Sequence, residues 1–173
     1  MRRVRYAVAS SLDGFIAGLN GEFDWITSDP EVDSAQDFSR YDTALIGRRT
    51  FEVMRDNGQP TFPGMKNFIF SRTLKRADIP KSSILSTTPE QTVAELRSAP
   101  ENGKDIWLFG GGELFRVLLA ARLVDEIELA VLPILLGSGI PLLPGAHRIP
   151  LTLTAHRRFG NGTLSLTYAI RQT

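Results

Sequence analysis

Apolar and polar positions along this chain follow two rhythms. Short runs of β-forming residues recur at Val4–Ala9, Asp42–Ile46, Lys66–Phe70, Ser83–Ser86, Ile106–Phe109 and Ile127–Leu132. Such runs, bounded by Gly and polar turn residues, predict strands, and the continuous apolar ones predict strands buried on both faces. Between them lie helical patterns. Asp29-Pro30-Glu31 predicts a helix start, with Asp29 as N-cap and Pro30 in the first position, continuing to about Arg40. Thr88-Pro89-Glu90-Gln91 predicts another, continuing to about Ser98, and Leu114, Phe115, Leu118, Leu119 and Leu123 mark one face of a third. Leu151–Phe159 and Thr163–Arg171, joined by Gly160-Asn161-Gly162, form the clearest hairpin. Strands alternating with helices and closed by a hairpin predict a single α/β domain over 1–173. Helices should cover both faces of a mostly parallel mixed sheet, with a C-terminal antiparallel hairpin.

Three stretches break these rhythms. Ser10–Ile26 carries Asp13-Gly14, Gly18 and Asn20-Gly21, a long loop of the kind used as a lid or binding loop, in which a hairpin at Asn20-Gly21 is compatible. Gly58–Gly64 holds Pro and Gly in an exposed loop, and Asn102-Gly103 turns the chain into the Ile106 strand. Leu135–Leu143 is apolar but interrupted by Gly and Pro, which suits either a pocket wall or interface, or a loop crossing the core.

Composition narrows the chemistry. A formal charge of +1 implies no broad basic surface for nucleic acid or acidic lipid. With Cys 0, disulfides, thiolate metal sites and cysteine nucleophiles are excluded. His147 and His156 stand far apart with no evident ligand partners, so no metal site is expected. No apolar run approaches the roughly 20 residues that span a membrane. Val4–Ser11 lacks a signal-peptide cleavage pattern, so a cytoplasmic protein is expected.

The candidate chemistry lies where strands hand over to helices. Gly47-Arg48-Arg49-Thr50 follows one strand, Ser71-Arg72 another, and Gly110-Gly111-Gly112 a third. Glycine admits close backbone approach, and a helix N-terminus offers free N–H groups and partial positive charge to a phosphate. Arginines at a helix start oppose the dipole, a conflict that a bound anion removes. Each cluster also has a bland reading: a tight turn for the glycines, solvated side chains for the arginines. In parallel sheets ligands gather at the C-terminal strand ends, so three such clusters together suggest a ligand with several phosphates. Neither G-x-x-x-x-G-K-[ST] nor G-x-G-x-x-G occurs.

Ala9, Leu12-Asp13-Gly14-Phe15-Ile16-Ala17, Trp25, Gly47-Arg48-Arg49-Thr50-Phe51-Glu52, Ser71-Arg72-Thr73 and Gly110-Gly111-Gly112-Glu113, in that order, resemble the dihydrofolate reductase superfamily. The S-L-D-G opening and the L-L-G-x-G-x-P-L stretch bring the chain closer to the reductase domain of the bifunctional riboflavin-biosynthesis deaminase/reductase (the RibD C-terminal domain) and its stand-alone relatives. The resemblance implies a dihydrofolate-reductase-like three-layer α/β/α fold, NADPH/NADP as cofactor and a small-molecule substrate. It implies that Ala9, Ile16 and Ala17 adjoin the nicotinamide. Gly47, Arg48, Arg49 and Thr50 would take the pyrophosphate and 2′-phosphate, and Ser71 and Arg72 the adenine ribose and its 2′-phosphate. Gly110, Gly111, Gly112, Glu113, Leu114 and Phe115 would wrap the diphosphate and nicotinamide ribose. Trp25 is expected at the substrate, with Asp13 or Asp24, or solvent, as proton source; Asp13 could instead only fix its loop through an Asx-turn.

Two departures qualify the reaction. Glu113 stands where classical dihydrofolate reductases carry arginine, and no acid after Trp25 matches the pterin-protonating residue, Asp29 and Glu31 being only near its place. The expected reaction is hydride transfer from NADPH to a small pyrimidine, pterin or other heterocycle, resembling 5-amino-6-(5-phosphoribosylamino)uracil reductase. Lacking the cysteines of a deaminase zinc site, the chain would perform only the reductase half. A nucleotide-binding paralogue or sensor without turnover is the alternative, and a purely structural module a third. The resemblance also implies a homodimer, through apolar surface near Leu132–Leu143.

Overall fold

The computed structural model describes residues 1–27, 29–35, 38–99, 104–145 and 148–171, and of residues 33–35 only the backbone. The predicted turn at Asn102-Gly103 and His147 lie outside the described residues.

In chain order the elements are β1 (Val4–Ser11), β2 (Phe15–Ala17), α1 (Pro30–Ala35), β3 (Tyr41–Gly47), α2 (Arg48–Asp56), β4 (Lys66–Phe70) and β5 (Ser83–Ser86). Then follow α3 (Pro89–Ser98), β6 (Asp105–Gly110), α4 (Gly112–Ala120), β7 (Glu126–Leu132), β8 (Ile140–Pro141), β9 (Leu151–Arg158) and β10 (Leu164–Ile170). The main sheet has the order β5-β4-β3-β6-β1-β7-β10-β9. Strands from β5 to β7 run parallel, and β10 and β9 add the antiparallel hairpin. No helix of the described residues is long and apolar enough to cross a membrane.

The two-residue period of the strands sorts the core into two layers. Val4, Tyr6, Leu45, Phe68, Ile106 and Leu108 face α3 and α4, where Val93, Leu114, Phe115 and Leu118 meet them. Ala44, Ile46 and Ile69, the alternate positions, face Phe51 of α2. Burying each large apolar side chain contributes roughly 1.5–3 kcal/mol, so the layers follow from the alternation itself. The predicted three-layer α/β/α arrangement with its closing hairpin is therefore observed.

The N-terminal arginines do more than the sequence shows. Arg2 is 5% exposed, pairs with Asp42, and donates to Thr43 Oγ1 at 3.0 Å. The helix expected to reach Arg40 ends at Ala35, and a 3-10 turn, Phe38–Arg40, leads into β3. Arg40 is drawn instead to Glu128 and over the Tyr41 ring, 5.0 Å from its centroid. Asp29 does cap α1, accepting from the Glu31 N–H at 2.9 Å and the Val32 N–H at 3.3 Å.

Two of the irregular stretches find each other. Phe15–Ala17 pairs antiparallel with Ile140–Pro141 as a small second sheet. Asp13 ties the same two loops together, accepting from the Leu136 N–H at 3.1 Å, the Gly137 N–H at 2.7 Å and the Ser11 hydroxyl at 2.6 Å.

Candidate functional site

The strands β4, β3 and β6 are neighbours and parallel, so their C-terminal ends lie side by side. The three clusters singled out in the sequence thus converge on one cleft of about 1900 Å³. Gly47, Arg48, Arg49 and Thr50 line it, as do Ser71, Arg72, Gly110, Gly111, Gly112, Glu113 and Leu114. Ala9 of β1 and Ile16 and Ala17 of β2 complete that side.

Two helices start at this edge, α2 after Gly47 and α4 after Gly111, and neither has a side-chain cap on its first N–H groups. Their N-terminal amides and dipoles are consequently available to an anion. A methyl group added at Gly47 would lie 3.1 Å from the Gly111 nitrogen, so glycine is what lets the two turns close on each other. Gly112 has a different reason: a methyl there would lie 2.8 Å from the Pro141 carbonyl oxygen and 2.9 Å from Pro144 Cδ. It serves the packing of the 141–144 loop.

The arginines differ in their commitments. Arg48 Nη1 is 2.9 Å from both Glu52 carboxylate oxygens, an i,i+4 pair. Arg49 and Arg72 are exposed and have no hydrogen-bond or ion-pair partner among the described residues. Glu113, where the sequence suggested a lost cationic contact, is paired with Arg116 at 3.0 Å. Arg116 also lines the cleft, a guanidinium the sequence reading missed. Its position three residues after Glu113, on one helix face, was the available signal. Ser71 is 7% exposed, and its Oγ accepts from the Thr73 N–H at 3.1 Å and the Leu74 N–H at 3.0 Å, so its hydroxyl shapes the turn that presents Arg72.

Several predicted residues stand elsewhere. Phe115 is 1% exposed and stacks on Tyr6 with ring centroids 3.9 Å apart, so it belongs to the core beneath α4 and does not line the cleft. Asp13 does not line the cleft either; its carboxylate is taken up by the clamp on Leu136 and Gly137, the Asx-like role left open above. Hydrogen bonds from the Ser11 hydroxyl and from these amides hold its pKa below the usual carboxylate range. Asp24 is exposed and outside the cleft lining. Trp25 is half-buried, donates its indole N–H to the Glu22 carbonyl at 3.2 Å, and leaves the lining to its neighbours Phe23 and Ile26. Glu31 binds Arg157 at 3.3 Å and accepts from the Gly160 N–H at 3.1 Å.

Another part of the cleft lining is aromatic. Trp107 is its hub, with Phe62 at 4.6 Å, Phe109 and Phe38 at 5.0 Å and Tyr41 at 5.7 Å between ring centroids. The Trp107 indole N–H is satisfied by the Ala7 carbonyl at 3.0 Å. Beside this cluster lies Glu128, level with Ala7 in the β1–β7 register and two residues before Ala130, the partner of Ala9. Arg5 Nη1 reaches Glu128 at 2.9 Å, Arg40 pairs with its other oxygen, and Arg5 also binds Asp105 and Glu126. Burial alone would lower the Arg5 pKa, but these carboxylates outweigh it and raise it. Burial likewise pushes the Tyr41 phenol up, with Glu128 adding to the effect. Glu128 was missed in the sequence; its signal was a carboxylate set between the apolar residues Ile127 and Leu129.

Comparison with known proteins gives the chain's family and fold. The chain is 34% identical over 180 residues to the uncharacterized protein YyaP of Bacillus subtilis, covering 96% of this chain and 94% of that protein. Among solved structures, Acinetobacter baumannii RibD superposes with a TM-score of 0.73 at 21% identity, over 99% of this chain and 59% of that one. A pyrimidine reductase-like protein from Corynebacterium diphtheriae gives 0.71 at 15% identity, over 99% and 93%. At these identities the two structures establish the shared fold. The model of the RibD C-terminal domain matches residues 2–165, and the chain accordingly belongs to the RibD C-terminal domain family.

Proposed function

We propose that this chain is an NADPH-dependent reductase that transfers hydride to a small heterocyclic substrate, in the manner of a 5-amino-6-(5-phosphoribosylamino)uracil reductase. The observation that carries the reading is the convergence on one cleft of two uncapped helix N-termini with the guanidiniums of Arg49 and Arg72, which have no partner among the described residues. That donor set fits a dinucleotide carrying an additional phosphate. Gly47, Arg48, Arg49 and Thr50 would hold the pyrophosphate and 2′-phosphate, and Arg72 the adenosine side. Gly110, Gly111 and the start of α4 would hold the diphosphate and nicotinamide ribose, over a floor of Ala9, Ile16 and Ala17. When bound, NADPH supplies the hydride. The chain positions the reactants and excludes water with the β2–β8 loops. With Asp13 committed to the loop clamp and Asp24 outside the cleft lining, solvent is left as the proton source.

Titration calorimetry with NADPH and with NADH tests this. We expect NADPH to bind more tightly, and Arg72→Ala to weaken NADPH by roughly ten- to a hundredfold, the worth of a charged hydrogen bond of about 1.5–3 kcal/mol, with little change for NADH. Absence of binding by either cofactor sinks the reading. A second reading, cofactor binding without turnover, is favoured by one observation: neither Asp13 nor Asp24 lines the cleft. It predicts tight NADPH binding and no acceptor-dependent oxidation. We also propose a homodimer, as the family resemblance implies, through the 132–143 segment, in which Leu135 is 69% exposed. Sedimentation as a monomer at micromolar concentration would count against it.

A further inference from the structure

The cleft is chemically lopsided, and the lopsidedness bears on what can be reduced there. At the helix-start end, Arg49 and Arg72 have no hydrogen-bond or ion-pair partner among the described residues. At the aromatic end, the one cation among the described lining residues is Arg40, and it is already spent on Glu128. The network behind it balances. Arg3, Arg5 and Arg40 face Asp105, Glu126 and Glu128 through ion pairs that link all six. No unpaired guanidinium or ammonium among the described lining residues is left at this end to meet an anion. Burying an unpaired phosphate against aromatic rings would carry a large desolvation penalty.

Glu128, by contrast, keeps capacity. Each of its oxygens takes a guanidinium, Arg5 on one and Arg40 on the other. A carboxylate offers about four acceptor positions, so N–H or O–H donors of a ligand can still be accommodated. Its side chain is 16% exposed, and it lines the cleft beside Ala7. Phe62 and Phe109 meet edge to face at 4.9 Å and line the same space, while Phe38 is 42% exposed at its border. Rings in this arrangement favour a flat partner.

We infer that the aromatic end takes the reducible substrate as a flat, uncharged heteroaromatic ring without a phosphate, anchored by N–H donation to Glu128. This rests on the reading that the helix-start end holds the dinucleotide. It separates the chain from a reductase whose substrate carries a phosphoribosyl group: that phosphate would have to compete with the cofactor for Arg49 and Arg72.

The test uses lumazine, a flat neutral ring with N–H donors, and its 6-carboxylate, the same ring with one added negative charge. Binding is read from quenching of Trp107 fluorescence in a Trp25→Phe background, with and without saturating NADP. The expected result is that lumazine binds at least about tenfold more tightly than the carboxylate. Glu128→Gln should weaken lumazine by about tenfold or more and leave NADP affinity unchanged. Because Glu128→Gln perturbs the ion-pair network and could fail to fold, Phe62→Ala serves as a second variant, removing a ring without touching charge, and should weaken lumazine likewise. Equal or tighter binding of the carboxylate, no binding of lumazine, or folded variants that bind it undiminished would overturn the inference. Failure of NADP alone would overturn the cofactor reading, while the titration without NADP still decides this one.

Discussion

The two ends of the cleft use arginine in opposite ways. At the helix-start end, Arg49 in the first turn of α2 and Arg72 after Ser71 have no hydrogen-bond or ion-pair partner among the described residues. At the aromatic end, Arg5 is 14% exposed along its side chain and binds Asp105, Glu126 and Glu128. The difference teaches that cationic side chains near a cleft do not announce a phosphate site. What distinguishes a waiting cation from a structural one is whether carboxylates on neighbouring strands have already claimed it.

The largest effect should come from breaking the structural end. Arg5→Met leaves three carboxylates clustered in a half-buried sheet face, and removal of one partner from such a network costs about 3–5 kcal/mol. Urea unfolding should show that loss. A change under about 1 kcal/mol would mean that the network contributes little to stability. The mirror experiment is Arg49→Ala with Arg72→Ala: surface positions without partners should shift stability by no more than about 0.5 kcal/mol. A clear destabilisation of this pair would erase the contrast drawn between the ends.

The smallest effect concerns the loop clamp at Asp13. Asp13 is held charged by the Ser11 hydroxyl and by the Gly137 and Leu136 amides, so its folded pKa lies below its unfolded value of about 3.9. The sign follows: its stabilisation is present above the unfolded pKa and is lost as pH falls through the lower folded one. Carboxyl-carbon NMR should find Asp13 titrating below the ordinary aspartate range, and Asp13→Asn should speed amide exchange at Leu136 and Gly137. An ordinary titration would show that the clamp does not hold in solution.

The sequence by itself determined the strands of the main sheet, the helices α2, α3 and α4, the closing hairpin and the glycine-marked strand ends. These are local matters: apolar periodicity selects the element, and glycine, proline and capping residues end it. Because parallel strands end on one edge, the clusters at Gly47, Ser71 and Gly110 were legible before any fold was seen. Only the tertiary structure decided the rest. Phe115 reads the same in sequence whether it faces ligand or core, and α4's packing against Tyr6 settles it. Asp13 reads as acid or turn former until Leu136 and Gly137, more than a hundred residues away, arrive with their amides. Arg5, Arg40 and Glu128 form one network only because β1, β7 and the segment before β3 are brought together by the sheet. Partner choice among charges is a long-range property, set by which strands lie side by side, and local periodicity carries no record of it.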